Sequence, residues 1–328
     1  MPIAVAGSIA TDHLMTFQGR FADSLIAEQL EKVSLSFLAD GLEIRRGGVG
    51  GNISFGMGLL GARPVLVGSA GPDFDDYRSW LERHGVDCES VHISETAHTA
   101  RFVCTTDSVL AQIATFYPGA MSEARELEFG PVIDRVGDLD LVLIGPDDPE
   151  AMLRHTDECR ERGIRFAADP SQQMAFMDGP SIRRLIDGAT YLFTNEYESH
   201  VAEKKTGWTA DEIAERVQVR IITRGSEGCT VAARGEEPIN VDVVPARTVV
   251  DPTGVGDAFR AGFLVGLDSG LGYRHCAQLG AVMATHVVET VGTQEYSEAL
   301  TGLRDRLAET YGDADADTIA AHLPQDRV

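Results

Sequence analysis

The sequence predicts a doubly wound α/β fold, layered α/β/α, with a small β-sheet lid. Three observations carry this. From Glu123 onward, short apolar runs alternate regularly with helical stretches, the pattern of a parallel sheet covered on both faces. Two glycine clusters, GGVGGNISFGMGLLG at 47–61 and DPTGVGDAFRAGF at 251–263, each open a helical stretch. The alternation breaks twice, around 13–46 and 92–119, and the second break carries strand patterns rich in Thr, Val and Phe. The core is therefore expected at 1–12, 47–91 and 120–328, and the two interruptions are expected to form one lid.

Residues 2–9 are an alanine-rich, β-branched run that predicts a buried first strand, ending at Gly7-Ser8 with Asp12 just beyond. The lid's first insertion predicts strands at 34–37 and 42–44. A helix over 52–60, a strand over 65–69 and an amphipathic helix over 74–84 follow, the last stopped by Gly85. The stretches 91–106 and 109–117 predict the lid's further strands. Beyond them, strands are expected at 139–144, 164–168, 191–194 and 219–223, and helices at 149–162, 181–187, 196–205 and 210–217. An antiparallel ribbon is expected at 230–233 and 239–244, around Gly235. Helices at 273–291 and 297–311 precede a tail that is acidic from Gly312, then weakly apolar.

A length of 328 residues suits one α/β domain with a small appendage. A net charge of −23 argues against a nucleic-acid surface, which needs many Lys and Arg contacts. The five cysteines are dispersed without a CxxC pair, the usage of reduced thiols in a cytoplasmic protein. No apolar run approaches the ~20 residues of a membrane span, and the N-terminal run lacks the basic lead-in of a signal peptide. None of the nine histidines has metal-site spacing, and neither a Walker A lysine motif nor a GxGxxG after the first strand is present.

The chemistry concentrates at 251–263. Gly254, Val255 and Gly256 form a turn running into a helix at Asp257. A helix start leaves N–H groups unpartnered and carries partial positive charge, so the turn can cradle a phosphate. A carboxylate beside such a cradle makes sense as a proton acceptor for an attacking hydroxyl. The same stretch also fits a plain strand–turn–helix corner. Asn195 and Glu198 follow a strand and suit either a helix start or a site for a hard cation. Gln172 and Gln173 follow another and can read an amide or purine edge, or be a solvated loop. Thr223, Gly225 and Gly228 lie in a loop that also fits a hairpin entry.

Together the two glycine clusters resemble the two signatures of the ribokinase (PfkB-type) family of sugar and nucleoside kinases. Val255 departs from the pattern, standing where the family usually has a small residue such as alanine. Further stretches, Ala6 to Leu14, His98 to Phe102, Phe116 to Ser122 and Asp169 to Gln173, resemble the bacterial adenosine kinases of mycobacterial type. The likeness runs from the N-terminus to about Glu295.

The resemblance implies a ribokinase-like fold and transfer of the γ-phosphate of ATP to the 5′-hydroxyl of adenosine, with Mg²⁺. Asp257 would be the base, and Gly254, Val255 and Gly256 the anion hole. Ser8, Asp12, Gly48 and Asn52 would bind ribose; Asp12 also fits a turn or cap. Phe102 and Phe116 would stack on the purine, although lid core is the ordinary place for such Phe residues. Ser36, Met121, Gln172 and Gln173 would complete the base pocket. Asn195, Thr223, Gly225, Gly228 and Gly256 would bind ATP. Glu198 would organise Mg²⁺ through water, and Asp251 would neighbour a monovalent cation such as K⁺. A homodimer through the lid is implied. A ribokinase-like sugar kinase and a non-catalytic nucleoside sensor are the alternatives. The Phe pair and double Gln argue against the first, and Asp257 with Asn195 and Glu198 against the second.

Overall fold

The computed structural model describes residues 2–24, 36–296 and 302–323. In chain order the first half runs β1 (Ile3–Ala6), β2 (Ala10–Thr16), α1 (Phe21–Ser24), β3 (Gly41–Gly47), α2 (Val49–Leu59), β4 (Val65–Ala70), α3 (Asp75–Arg83), β5 (Val91–Ile93), β6 (Ala100–Thr106), β7 (Gln112–Tyr117) and α4 (Phe129–Val136). The second half runs β8 (Leu141–Ile144), α5 (Pro149–Arg162), β9 (Phe166–Ala168), α6 (Gly179–Ile186), β10 (Tyr191–Asn195), α7 (Glu196–Thr206), α8 (Ala210–Arg216), β11 (Val219–Thr223), β12 (Cys229–Ala233), β13 (Ile239–Val241), α9 (Val255–Asp268), α10 (Tyr273–Val288), α11 (Leu303–Tyr311) and α12 (Asp313–His322).

Nine strands form one sheet in the order β13-β12-β11-β10-β9-β8-β1-β4-β5. It is parallel from β5 to β11, and β12 and β13 add an antiparallel edge. Strands covered on both faces bury every residue, as β1 and β8 do. Ile3 and Val5 pack on the side of α2, α3 and α9 to α12; Ala4 and Ala6 pack with α4 to α8. From β1 the chain winds outward to β4 and β5; from β8 it winds the other way. The winding reverses between β1 and β8, and in such sheets ligands bind beyond the strands' carboxyl ends.

A second sheet of four strands has the order β3-β2-β6-β7. Strand β2 pairs antiparallel with β3 and parallel with β6, and β6 pairs antiparallel with β7. Asp12 therefore lies inside a strand, because β2 already begins at Ala10. Strand β5, expected in the lid, instead pairs parallel with β4 on the edge of the main sheet. Its Val91 is buried against the main core. Of the strand expected at 34–37, Ser34 and Leu35 lie outside the described residues, and Ser36 and Phe37 are not in a strand. Residues 297–301 of the last expected helix also lie outside them; the helix is described from Leu303.

Among the described residues no helix is long and apolar enough to cross a membrane.

Candidate active site

Helix α9 begins at Val255, two residues earlier than expected, so Asp257 sits in its first turn. Gly254 caps it in the left-handed region at φ 79°. A Cβ there would also lie 2.8 Å from Thr293 Cγ2, so both backbone and space call for glycine. The turn closes through the Ala258 N–H, which donates to the Gly254 carbonyl at 2.9 Å. Val255 packs its side chain against the main core, leaving its peptide in the helix start.

Asp257 is half-buried, and its Oδ2 accepts a 2.8 Å hydrogen bond from Asn52 Nδ2. Burial raises its pKa above the ordinary carboxylate value, while Arg260 and the Asn52 bond pull the other way and Glu198 adds to the rise. Asn52 comes from α2, whose start is fixed from β1. Ser8 Oγ accepts the Val49 N–H at 3.0 Å. Gly48, at φ 85°, brings the chain so near that a Cβ would stand 2.5 Å from the Ser8 carbonyl oxygen.

A cavity of about 790 Å³ opens beside this turn. It brings together the expected phosphate and nucleotide residues: Gly254 with Val255, Gly256 and Asp257 of α9, Asn195 at the end of β10 with Glu198 of α7, and Thr223 at the end of β11 with Gly225 and Gly228 beyond it. Gln172 lines it too. Its far end is apolar, with Val244, Pro245, Ala281, Ala284 and Val288. Asn195 and Glu198 form a reciprocal capping box. Asn195 Oδ1 accepts the Glu198 N–H at 2.8 Å, and Glu198 Oε2 accepts the Asn195 N–H at 2.7 Å.

The second sheet contributes a row. Arg45, Asp12, Phe102 and Phe116 are direct partners across its four strands, so all four share one face. Met121 is buried against Ala10 and Ala100 at the base of this sheet. Gln173 Nε2 donates to the Asp147 carbonyl at 2.7 Å, which ties it to the loop after β8. Ser36 is exposed.

The profile described as pfkB family carbohydrate kinase matches residues 10–300. The chain belongs to that family. The nucleoside kinase of Methanocaldococcus jannaschii is 29% identical over 250 residues, 76% of this chain and 80% of the relative. The structure of Burkholderia thailandensis nucleoside kinase in complex with inosine matches with a TM-score of 0.80 at 35% identity, covering 94% of this chain and 98% of that one. Its complex with ADP-inosine gives 0.79 at 35% identity, covering 94% and 96%. The fold is ribokinase-like, and this PfkB-type protein is a phosphotransferase of the nucleoside and sugar kinase kind.

A hard divalent cation fits the donors of this PfkB-type site at Glu198. Its Oε1 keeps only a 3.4 Å contact with Ser171 Oγ, and the residue lines the cavity. No group of three or more His, Cys, Asp or Glu among the described residues could hold a metal. An ion at Glu198 would therefore take its other ligands from phosphate oxygens and water. Asp251 does not fit a monovalent cation in the same way. Its Oδ1 accepts the Thr253 N–H at 2.9 Å, its Oδ2 the Gly292 N–H at 3.3 Å, and Arg45 Nη1 stands 3.6 Å from Oδ2. Burial alone would raise Asp251, but these bonds and Arg45 hold it below the usual range.

Sequence reasoning missed Arg260 and Asp169. Arg260 lies one turn past Asp257 and lines the cavity. Its Nη2 donates to Asp169 Oδ1 at 2.6 Å and its Nε stands 2.5 Å from Asp169 Oδ2, an ion pair that is almost wholly buried. Burial pushes the Asp169 carboxyl up, and Arg260 opposes the rise. Gly256 makes room for the guanidinium, since a Cβ there would lie 2.6 Å from Arg260 Nη1. The signal was present: one charge among the small and apolar residues Ala258 to Phe263.

Proposed function

We propose that this chain is an adenosine kinase, transferring the γ-phosphate of ATP to the 5′-hydroxyl of adenosine to give AMP and ADP. The observation that carries the reading is the alignment of Asp12, Phe102 and Phe116 on one face of the second sheet. A carboxylate with two aromatic rings in line on one side of it suits a ribose joined to a flat base; a bare sugar needs no rings. The second sheet acts as the lid, closing over the nucleoside and excluding water. The apolar end of the cavity suits the adenine of ATP, and its glycine turn suits the phosphates.

In the transfer, Asp257 accepts the 5′-hydroxyl proton as that oxygen bonds to the γ-phosphorus and the bond to the bridging oxygen of ADP breaks. N–H groups of the turn at 254–257 stabilise the charge on the transferred group. When bound, Mg²⁺ at Glu198 would neutralise charge on the phosphates. The inosine complex of the 35% identical Burkholderia enzyme favours a second reading, acceptance of several purine nucleosides.

A radiolabelled phosphate-transfer screen over adenosine, guanosine, inosine, cytidine, ribose and fructose 6-phosphate separates these readings. Adenosine is expected to have the highest kcat/KM. Preference for inosine or guanosine favours the broader purine reading, and preference for ribose returns the site to a sugar kinase. In Asp257→Asn, turnover should fall about 10²–10⁴-fold while adenosine still binds. Near-normal turnover in that variant would remove Asp257 from the mechanism. Tight adenosine binding without turnover in the unmodified protein would favour a sensor.

A further inference from the structure

Three polar groups from three separate segments meet in series behind Asp257. Trp80 Nε1, on α3, donates to Gln294 Oε1 at 3.1 Å. Gln294 Nε2 donates to Asn52 Oδ1 at 2.9 Å, and Asn52 Nδ2 donates to Asp257 Oδ2 at 2.8 Å. The Thr293 hydroxyl lies 2.9 Å from the same Asn52 Oδ1 and 3.0 Å from the Arg46 carbonyl, and Tyr77 OH, which donates to the Gly47 carbonyl at 2.9 Å, takes the second Gln294 N–H. Gln294 is almost wholly buried and Asn52 nearly so, so neither has water as an alternative partner.

An amide side chain can turn end for end with little change in shape, exchanging its donor and its acceptor. Here the ends of the series forbid that. The indole N–H of Trp80 is a donor only, so it must face an oxygen of Gln294. That leaves Gln294 its NH₂ toward Asn52, which must answer with its oxygen. Asn52 then has only its NH₂ for Asp257. Each orientation is forced by the one before it, and the series ends on a carboxylate, an acceptor.

We infer that Trp80 and Gln294 are positioning residues for phosphoryl transfer: they set the polarity of Asn52, so that a donor and not an acceptor faces Asp257. The inference rests on Asp257 as the base. The relay keeps one Asp257 oxygen in place and favours its ionised form, leaving the other oxygen to take the substrate proton.

Two substitutions at one position test it. Gln294→Glu keeps the shape but replaces the donor by a second acceptor. Asn52 then turns its NH₂ toward the introduced carboxylate and its oxygen toward Asp257. Gln294→Leu removes both polar groups and leaves the Asp257 carboxylate to favour the working orientation of Asn52, since the Thr293 hydroxyl can bond either end of that amide. Single-turnover transfer is expected to be roughly 10- to 100-fold slower in Gln294→Glu than in Gln294→Leu, the scale of one hydrogen bond to a charged group. ATP binding should be alike in the two, and Gln294→Leu is expected to have the lower melting temperature. Equal transfer rates, or a slower Leu variant, would overturn the relay and leave Gln294 a packing residue. Asp257→Asn, measured alongside, keeps the two ideas apart. If it retains turnover the base assignment fails; if it is inactive while Gln294→Glu matches the unmodified protein, only the relay fails.

Discussion

Half-burial on β2 pushes the Asp12 carboxyl up to about 6 from an ordinary 3.8, with Arg45 opposing and Asp251 adding to the rise. A folded pKa above the unfolded one means that the folded state binds the proton more tightly. The stabilisation is complete below the unfolded value and is lost as pH rises through about 6. At pH 8 the ionised Asp12 is therefore a net cost to the fold, kept for what the carboxylate would bind. Asp12→Asn should melt above the unmodified protein at pH 8, where ~1 kcal/mol corresponds to about 1.5 °C for a chain of 328 residues. The gap should close as pH falls through 6 toward 4. A gap constant with pH would trace the effect to shape. Asp12 was visible in the sequence as a polar residue just past the first strand. Its altered ionisation was not, because burial of a side chain is set by packing that the sequence does not give, as are the neighbours Arg45 and Asp251.

At the scale of elements, helix α9 is fixed by how closely it crosses its neighbour. A Cβ on Gly262 of α9 would lie 2.7 Å from the Leu279 carbonyl oxygen and 2.8 Å from Gly280 Cα, both in α10. Backbone cannot swing aside as a side chain can, so Gly262→Ala must push the two helices apart. A loss of about 1–3 kcal/mol in urea unfolding is expected, with kcat falling because Asp257 rides on the same helix. Unchanged stability would mean that the crossing is looser than these distances imply. The small-residue face of this helix was legible in Ala261 and Gly262; its partner was not, because nothing in a sequence gives a crossing. The same limit hid Trp80 and Asn52 as associates of Gln294, 214 and 242 residues away in the chain. Regular α/β alternation made β8 to β11 and their helices readable nearly to the residue. Helix α4 went unread, although α6 has the same eight-residue length and a Gly-Pro of its own. Helix α12 escaped because its sequence is acidic, with just Ala316 and Ile319 fully buried.

For the whole molecule, the two faces of the second sheet set up an unequal pair. Side chains alternate along a strand, so the partners of Asp12 share one face and those of His13 share the other. The first face carries Arg45, Asp12, Phe102 and Phe116. The second carries Ile44 and Leu42 of β3, Met15 of β2, Val103 of β6 and Ile113 of β7. Leu42 and Ile44 are 60% and 59% exposed and Ile113 is 45% exposed, while the chain as a whole carries a net charge of −23 that keeps copies apart. On this face the exposed Leu42, Ile44 and Ile113 stand beside His13, Thr105 and Thr115, with Arg46 and Arg101 one row on; exposed apolar side chains are a place for association, and a second copy of the same sheet is the matching surface. A homodimer joined through these faces is therefore expected, each lid backed by the other. Sedimentation velocity at micromolar concentration should give the mass of two chains. The double variant Leu42→Lys, Ile44→Lys should sediment as one chain, because two like charges would be opposed across a twofold contact. Since the substituted side chains lie on the face away from Asp12, the folded monomer should keep its cavity and still bind ATP. A raised nucleoside KM in that monomer, with ATP binding unchanged, would show that pairing steadies the lid over the nucleoside. A protein that sediments as a single chain without substitution would place the apolar face in some other use.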